Sequence, residues 1–79
     1  MFEERDALVV QVRPFDVHGV GHVDVTVVYP DRRTESARLG AESAPPDLVA
    51  GERVTVRLVM RTIVEIARPD AGPSTGTPN

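Results

Sequence analysis

Apolar and polar residues alternate along most of the chain, and this two-residue period predicts β-strands rather than helices. Valine dominates the apolar positions, and its β-branched side chain fits the pleated, half-buried surface of a sheet. Interruptions of the alternation divide the chain into five predicted strands, at residues 7–17, 22–29, 34–39, 53–60 and 63–68.

Glycine and proline mark the predicted connections between these strands. Gly19 and Gly21 permit the positive φ angles of a tight turn between the first two strands. Residues 44–51 carry proline near their start and Gly51 at their end, which predicts at most one short helical turn between the third and fourth strands.

The two ends of the chain lack the strand pattern. Residues 1–6 are predicted to be a flexible N-terminus. Residues 69–79 are rich in proline, glycine, serine and threonine and have no apolar anchor, so they are predicted to form a disordered tail. These boundaries predict a single β-domain at residues 7–68.

The pairing of the first two strands decides which side chains face the core. If His18 pairs with His22, Phe15 lies opposite Val25 inside the domain. A bulge at Pro14 then turns the earlier apolar residues of the first strand, Leu8, Val10 and Val12, inward.

The other two hairpins are predicted in the same way. Pairing Tyr29 with Arg33 turns Tyr29 inward and places Val27 opposite Glu35. In the last hairpin, pairing Leu58 with Val64 leads to three further pairs: Val56 with Ile66 inside, and Arg57 with Glu65 and Val59 with Ile63 outside.

The order of these elements resembles the oligonucleotide/oligosaccharide-binding fold, a five-stranded Greek-key barrel. Three meandering strands precede a connector and a final hairpin, and residues 48–56, LVAGERVTV, resemble the usual entry to the fourth strand. An SH3-like barrel is the alternative. The resemblance implies binding of single-stranded nucleic acid on the second and third strands, through exposed aromatic residues and a basic groove.

Composition limits the kinds of function that are open to the chain. Its 79 residues contain no cysteine, which excludes disulfides and thiolate metal sites. No segment approaches the roughly 20 apolar residues of a membrane span, and the acidic N-terminus differs from a signal peptide, so we expect a cytoplasmic protein without membrane contact. The net charge of −3 weakens attraction to phosphate. All nine basic residues are arginine, which is typical of a GC-rich bacterial genome.

The most site-like cluster surrounds the first predicted turn. The predicted register brings two carboxylates and two imidazoles to one outward face, as a zinc, nickel or manganese site requires. These candidate ligands are Asp16, His18, His22 and Asp24. A solvated turn, with Asp24 paired to Arg38, explains the same residues without a metal.

Nucleic-acid binding is the alternative function, weak and sensitive to salt. Arg32, Arg33 and Arg38 can contact phosphates. However, the predicted register turns both Phe15 and Tyr29 inward, which leaves no aromatic surface for bases.

A contact surface for another protein is the preferred interpretation. Four apolar residues are predicted to face outward on neighbouring strands: Val9, Val28, Val59 and Ile63. A domain of this size is only marginally stable alone, so a partner protein or a homodimer would stabilise it. No nucleophile motif or phosphate-binding loop occurs, and we therefore expect a non-catalytic interaction or assembly module without a cofactor.

Overall fold

A computed structural model describes residues 2–69 of the chain. It confirms the all-β class, with five antiparallel strands and a single turn of 3-10 helix. The strands are β1 (Phe2–Val17), β2 (Val20–Val28), β3 (Thr34–Gly40), β4 (Arg53–Val59) and β5 (Thr62–Ala67). Within the described residues, no helix is long and apolar enough to cross a membrane.

The long strand β1 organises the sheet, whose strand order is β3-β2-β1-β4-β5. Its first half pairs with β4, from Phe2 to Leu8, and its second half pairs with β2, from Leu8 to Val17. A bulge where the two halves meet leaves Val10 unpaired, and such bulges bend a strand. The sheet therefore coils until β3 and β5 touch, although no hydrogen-bonded pairing joins these two strands in residues 2–69.

The N-terminal prediction is wrong for residues 2–6, which belong to β1 rather than to a flexible end. Their pairing with β4 extends to the pair Phe2 and Val59. At the other end, the description stops at Pro69, so the predicted disorder of residues 70–79 lies outside the described residues.

The predicted helical turn exists but lies earlier than expected, at Ala41–Ser43. Pro45 and Pro46 explain the position, because proline lacks an N–H group and forces the residue before it into an extended conformation. Ala44 is accordingly extended, with φ −149° and ψ 155°. The connector then continues as turns and buries Leu48 against the core.

The core lies between the two halves of the coiled sheet and consists mainly of valine. Five valines from β1, β2 and β4 are almost completely shielded from solvent: Val9, Val25, Val27, Val54 and Val56. Each fully buried valine contributes about 1.5 kcal/mol or more to the free energy of unfolding. Tyr29 is also buried, as predicted.

The predicted register of β1 with β2 is wrong by three residues, since Phe15 pairs with His22 and not with Val25. The cause is the turn, which contains only His18 and Gly19, with φ of 51° and 80°. Two-residue loops with positive φ match the twist of the flanking strands. Because the register shifts by an odd number of residues, the side chains of this part of β1 lie on the opposite face from the predicted one. Phe15 therefore lies on the outside of the sheet.

The predicted orientation of the earlier part of β1 is wrong as well. Val9 is 1% exposed, whereas Leu8 and Val10 are 39% and 44% exposed. The bulge occurs at Val10 rather than at Pro14 and changes the alternation there. Val12 does pack against the core, as predicted.

The remaining hairpins follow the predictions more closely. The register of β2 with β3 is confirmed, including the pair of Val27 and Glu35. In β4 and β5, the pairs Val56–Ile66 and Arg57–Glu65 are confirmed. A bulge then pairs Leu58 with Ile63 instead of Val64, and the prediction that Ile63 faces outward is wrong, because it is 4% exposed.

Candidate functional site

The outer surface of β1, β2 and β3 carries an aromatic pair flanked by guanidinium groups. The Phe15 and His22 rings stack with centroids 5.6 Å apart and an interplanar angle of 26°. Arg38 reaches across from β3 and places its Cζ 4.7 Å from the centroid of the Phe15 ring. We call this surface the aromatic face, defined by Arg13, Phe15, His22, Asp24 and Arg38.

Asp24 holds Arg38 in position on the aromatic face. The Arg38 Nε donates to Asp24 Oδ1 at 2.9 Å, and Nη2 donates to Oδ2 at 3.2 Å, which makes the pair bidentate. These hydrogen bonds hold the pKa of the Asp24 carboxyl below its ordinary value of 3.8, and the charges of Arg13 and His22 act in the same direction. The Asp24–Arg38 pair itself was predicted and is confirmed.

Arg13 is the available cation of the aromatic face. It is exposed and pairs across the strands with Asp24. Among residues 2–69, no carboxylate lies within ion-pair distance of its guanidinium. With two arginines and one aspartate, the face carries a formal charge of +1 without His22.

Neutral polar groups continue the aromatic face along the same three strands. The Thr26 and Ser36 hydroxyls lie 2.8 Å apart and hydrogen-bond to each other. They belong with Gln11 to an open groove of about 510 Å³ that also includes Arg13, Asp24 and Arg38. The groove presents hydrogen-bonding groups beside the aromatic pair.

The predicted metal cluster is not assembled. Asp16 pairs with Gly21, one position along β1 from Phe15, and therefore lies on the opposite side of the sheet from His22 and Asp24. His18 is in the two-residue turn. No group of three or more potential ligands occurs within the part of the chain that the structure describes.

The predicted apolar contact surface is not formed either. Val9 and Ile63 are buried in the core, and only Val59 and, in part, Val28 reach the surface. The bulges in β1 and β5 cause this difference, since each adds a residue and reverses the orientation of its neighbours.

The three arginines of the nucleic-acid hypothesis do not lie together. Arg38 is on the aromatic face, whereas Arg32 and Arg33 follow β2 in the turn at the other end of the sheet. Sequence reasoning missed Arg13 and the outward position of Phe15. The His18-Gly19 dipeptide was the available signal, because it suits a two-residue hairpin turn.

A second aromatic residue with an arginine above it lies on the outer surface of β1 and β4. The Cζ of Arg57 is 4.7 Å from the centroid of the Phe2 ring. Arg57 also contacts two carboxylates, Glu4 at 3.3 Å and Glu65 at 3.1 Å. We call this surface the β4 face, defined by Phe2, Glu4, Arg57 and Glu65.

Searches for similar proteins do not assign the chain to a known group. No protein-family model matches it, and no curated protein or solved structure matches it. The functional argument therefore depends on the geometry of the two surfaces.

Proposed function

We propose that the protein binds single-stranded nucleic acid through the aromatic face. The observation that carries this proposal is the position of Phe15, which lies half-buried on the outer surface of the sheet, stacked on His22 and flanked by Arg13 and Arg38. The sequence had favoured a protein contact surface because the predicted register turned Phe15 inward.

The strand order supports an oligonucleotide/oligosaccharide-binding type of barrel. In that fold, a five-stranded, partly open Greek-key barrel binds its ligand on strands 2 and 3. Here β1 lies between β2 and β4, and the helical turn follows β3. This order favours the fold over the SH3-like alternative, and the aromatic face lies on β2, β3 and the adjoining strand β1.

The chemistry of the aromatic face suits a single strand. Unpaired bases stack on aromatic rings, and each such contact contributes about 1–3 kcal/mol to binding. Arginine contacts backbone phosphates, and Arg13 has no competing carboxylate partner in residues 2–69. The Asp24 carboxylate and the net charge of −3 limit the affinity, so we expect weak binding that depends on salt.

Fluorescence anisotropy with labelled single-stranded DNA and RNA tests the proposal. If Arg13 alone contacts a phosphate, because Asp24 holds Arg38, log K falls with a slope of about −0.7 against log salt concentration. Affinity should then drop about 2.6-fold between about 50 mM and about 200 mM salt. An absence of saturable binding at the lower salt concentration would refute the proposal.

A non-catalytic protein-interaction or assembly module is the second candidate. The observation that favours it is an apolar groove of about 350 Å³ between the connector and strands β1 and β2. Val12, Val23 and Val49 line this groove, and Val49 is 58% exposed. If the groove joins two copies of the chain in a homodimer, the sedimentation mass should be twice that of one chain. Val49→Glu should reduce this mass. Val64→Glu, an exposed control on β5, should leave it unchanged.

A further inference from the structure

Three arginines meet at the end of the sheet that is opposite the connector. Because the strands are antiparallel, this end collects the start of β1, the turn after β2 and the turn after β4. Arg5, Arg33 and Arg61 come from these three segments and line one cleft of about 470 Å³ together with Tyr29. We call it the turn-end cleft. Phe15 lies near the other end of β1.

Two of these arginines are available to a ligand. Within residues 2–69, no carboxylate lies within ion-pair distance of Arg33 or Arg61. Arg5 lies over the Tyr29 ring, with Cζ 4.4 Å from its centroid, and its carboxylate neighbour Glu3 is 4.0 Å away. Both Arg33 and Arg61 are exposed.

The acidic residues of the turn-end cleft do not cancel its positive charge. Glu3 and Glu35 face three arginines there, which leaves a formal charge of +1. Glu35 accepts a 2.7 Å hydrogen bond from the Tyr29 hydroxyl. Burial, followed by this contact with Glu35, raises the pKa of Tyr29, so the hydroxyl keeps its proton and adds no negative charge. The Asp31 carboxylate accepts from the Arg33 backbone N–H at 3.1 Å and fixes the neighbouring turn.

The turn that presents Arg61 has an unfavourable backbone conformation for its residues. Met60 and Arg61 have φ of 52° and 69°, in a two-residue hairpin loop that favours asparagine and glycine. Arg32, in the turn beside Arg33, also has a positive φ, of 72°. Side chains in the left-handed region are disfavoured, and such strain is concentrated at ligand-binding sites.

We propose that the turn-end cleft binds a phosphate group, with Arg33 and Arg61 as its direct contacts and Arg5 as a third positive charge. The planar guanidinium group matches phosphate oxygens through paired N–H donors. The site does not depend on the proposed function, because it shares no residue with the aromatic face.

A titration of the full chain with inorganic phosphate at constant ionic strength tests this site, and amide chemical shifts report the binding. We expect saturable shifts at residues 29–35 and 60–62. Arg33→Gln and Arg61→Gln should each weaken binding about tenfold or more, and Arg13→Gln should not. Shifts that chloride reproduces, or that do not saturate, would overturn the proposal.

Two glycine variants separate the charge of Arg61 from the strain in its turn. Arg61→Gly and Met60→Gly each relieve one left-handed residue, so each should raise Tm by about 4–8 °C. Only Arg61→Gly should lose phosphate binding. Retention of full binding by a stabilised Arg61→Gly variant would contradict the proposal.

A second experiment, with an oligonucleotide, shows whether the phosphate group comes from a nucleic-acid terminus or from a free anion. A short oligonucleotide with a terminal phosphate is compared with the same oligonucleotide without it, in the Phe15→Ala variant. Tighter binding of the phosphorylated form, lost in Arg33→Gln, identifies a nucleic-acid terminus, and binding of inorganic phosphate alone identifies a free anion. If neither ligand has an effect, the inference is overturned, whatever the result at the aromatic face.

Discussion

The aromatic face and the β4 face contain the same interaction in different surroundings. In each, an arginine lies 4.7 Å from the centroid of a phenylalanine ring on β1. Arg57 contacts two carboxylates, whereas Arg38 contacts Asp24 and has Arg13 nearby without a carboxylate partner in the described chain. His22 extends the ring surface on the aromatic face alone, within residues 2–69.

Under the proposed function, an aromatic residue beside an arginine is not sufficient to define a nucleic-acid site. Neighbouring carboxylates decide whether the guanidinium can approach a phosphate, since a paired arginine must first lose its existing contact. Phe2 is also more exposed than Phe15, at 55%, although its surroundings favour binding less. Exposure alone selects Phe2, whereas the proposed function assigns the base-stacking role to Phe15.

Removing the two rings should give the largest difference between the faces. Phe15→Ala should weaken single-strand binding by about 1–3 kcal/mol, or about 5- to 150-fold in Kd, because a base loses its stacking surface. Phe2→Ala is the matched control and should change Kd little. Anisotropy titrations measure both variants, and equal losses would remove the distinction between the faces.

Removing one carboxylate from each face should give the next largest effect. Asp24→Asn frees Arg38 for a phosphate, so binding should tighten at low salt and the salt slope should steepen by about 0.7. Glu65→Gln leaves Arg57 paired with Glu4 and should leave both quantities unchanged. Salt-dependent titrations measure both quantities, and weaker binding by Asp24→Asn would show that Asp24 positions Arg38 productively.

A single arginine should have a smaller effect that is visible mainly in the salt dependence. Arg13→Gln should reduce the slope of log K against log salt concentration by about 0.7, because one phosphate contact is lost. Arg53→Gln is the control, since Arg53 is exposed on β4, opposite Leu8 of β1. Unchanged slopes for both variants would exclude a phosphate contact by Arg13.

The smallest predicted effect is the pH dependence of the Asp24–Arg38 pair. The folded-state pKa of Asp24 lies below its ordinary value of 3.8. The pair therefore stabilises the fold fully above that value and loses this contribution as the pH falls through the lower, folded-state pKa. Arg38→Gln should raise the pKa of Asp24, as measured by a carbon NMR titration of its carboxyl group. An unchanged pKa would contradict the hydrogen-bonded pair.

Much of the fold follows from the sequence because valine alternates so regularly. The register of β2 with β3 was predictable, since Tyr29 and the residues after it form a recognisable turn and the flanking alternation admits one consistent pairing. The helical turn could be placed only approximately. The prolines that end it were visible, but the turn lies just before them.

The candidate site was not predicted from the sequence because the length of the first hairpin turn was predicted wrongly. Choosing a longer turn instead of His18-Gly19 shifted the register by three residues and turned Phe15 inward. The bulges at Val10 and Val64 had no signal in the alternation, because valine occupies both kinds of position. Where the inner and outer residues of a strand are both apolar, periodicity cannot fix the register.

Mapping the bound ligand on the protein tests the central claim most directly. Amide chemical shifts are recorded while a short single-stranded oligonucleotide is added to the full chain at low salt. We predict saturable changes at residues 11–15, 22–26 and 36–38, which contain the aromatic face and the groove beside it, and little change at Phe2 and Arg57. Changes centred on the β4 face, or no saturable change anywhere, would contradict the account.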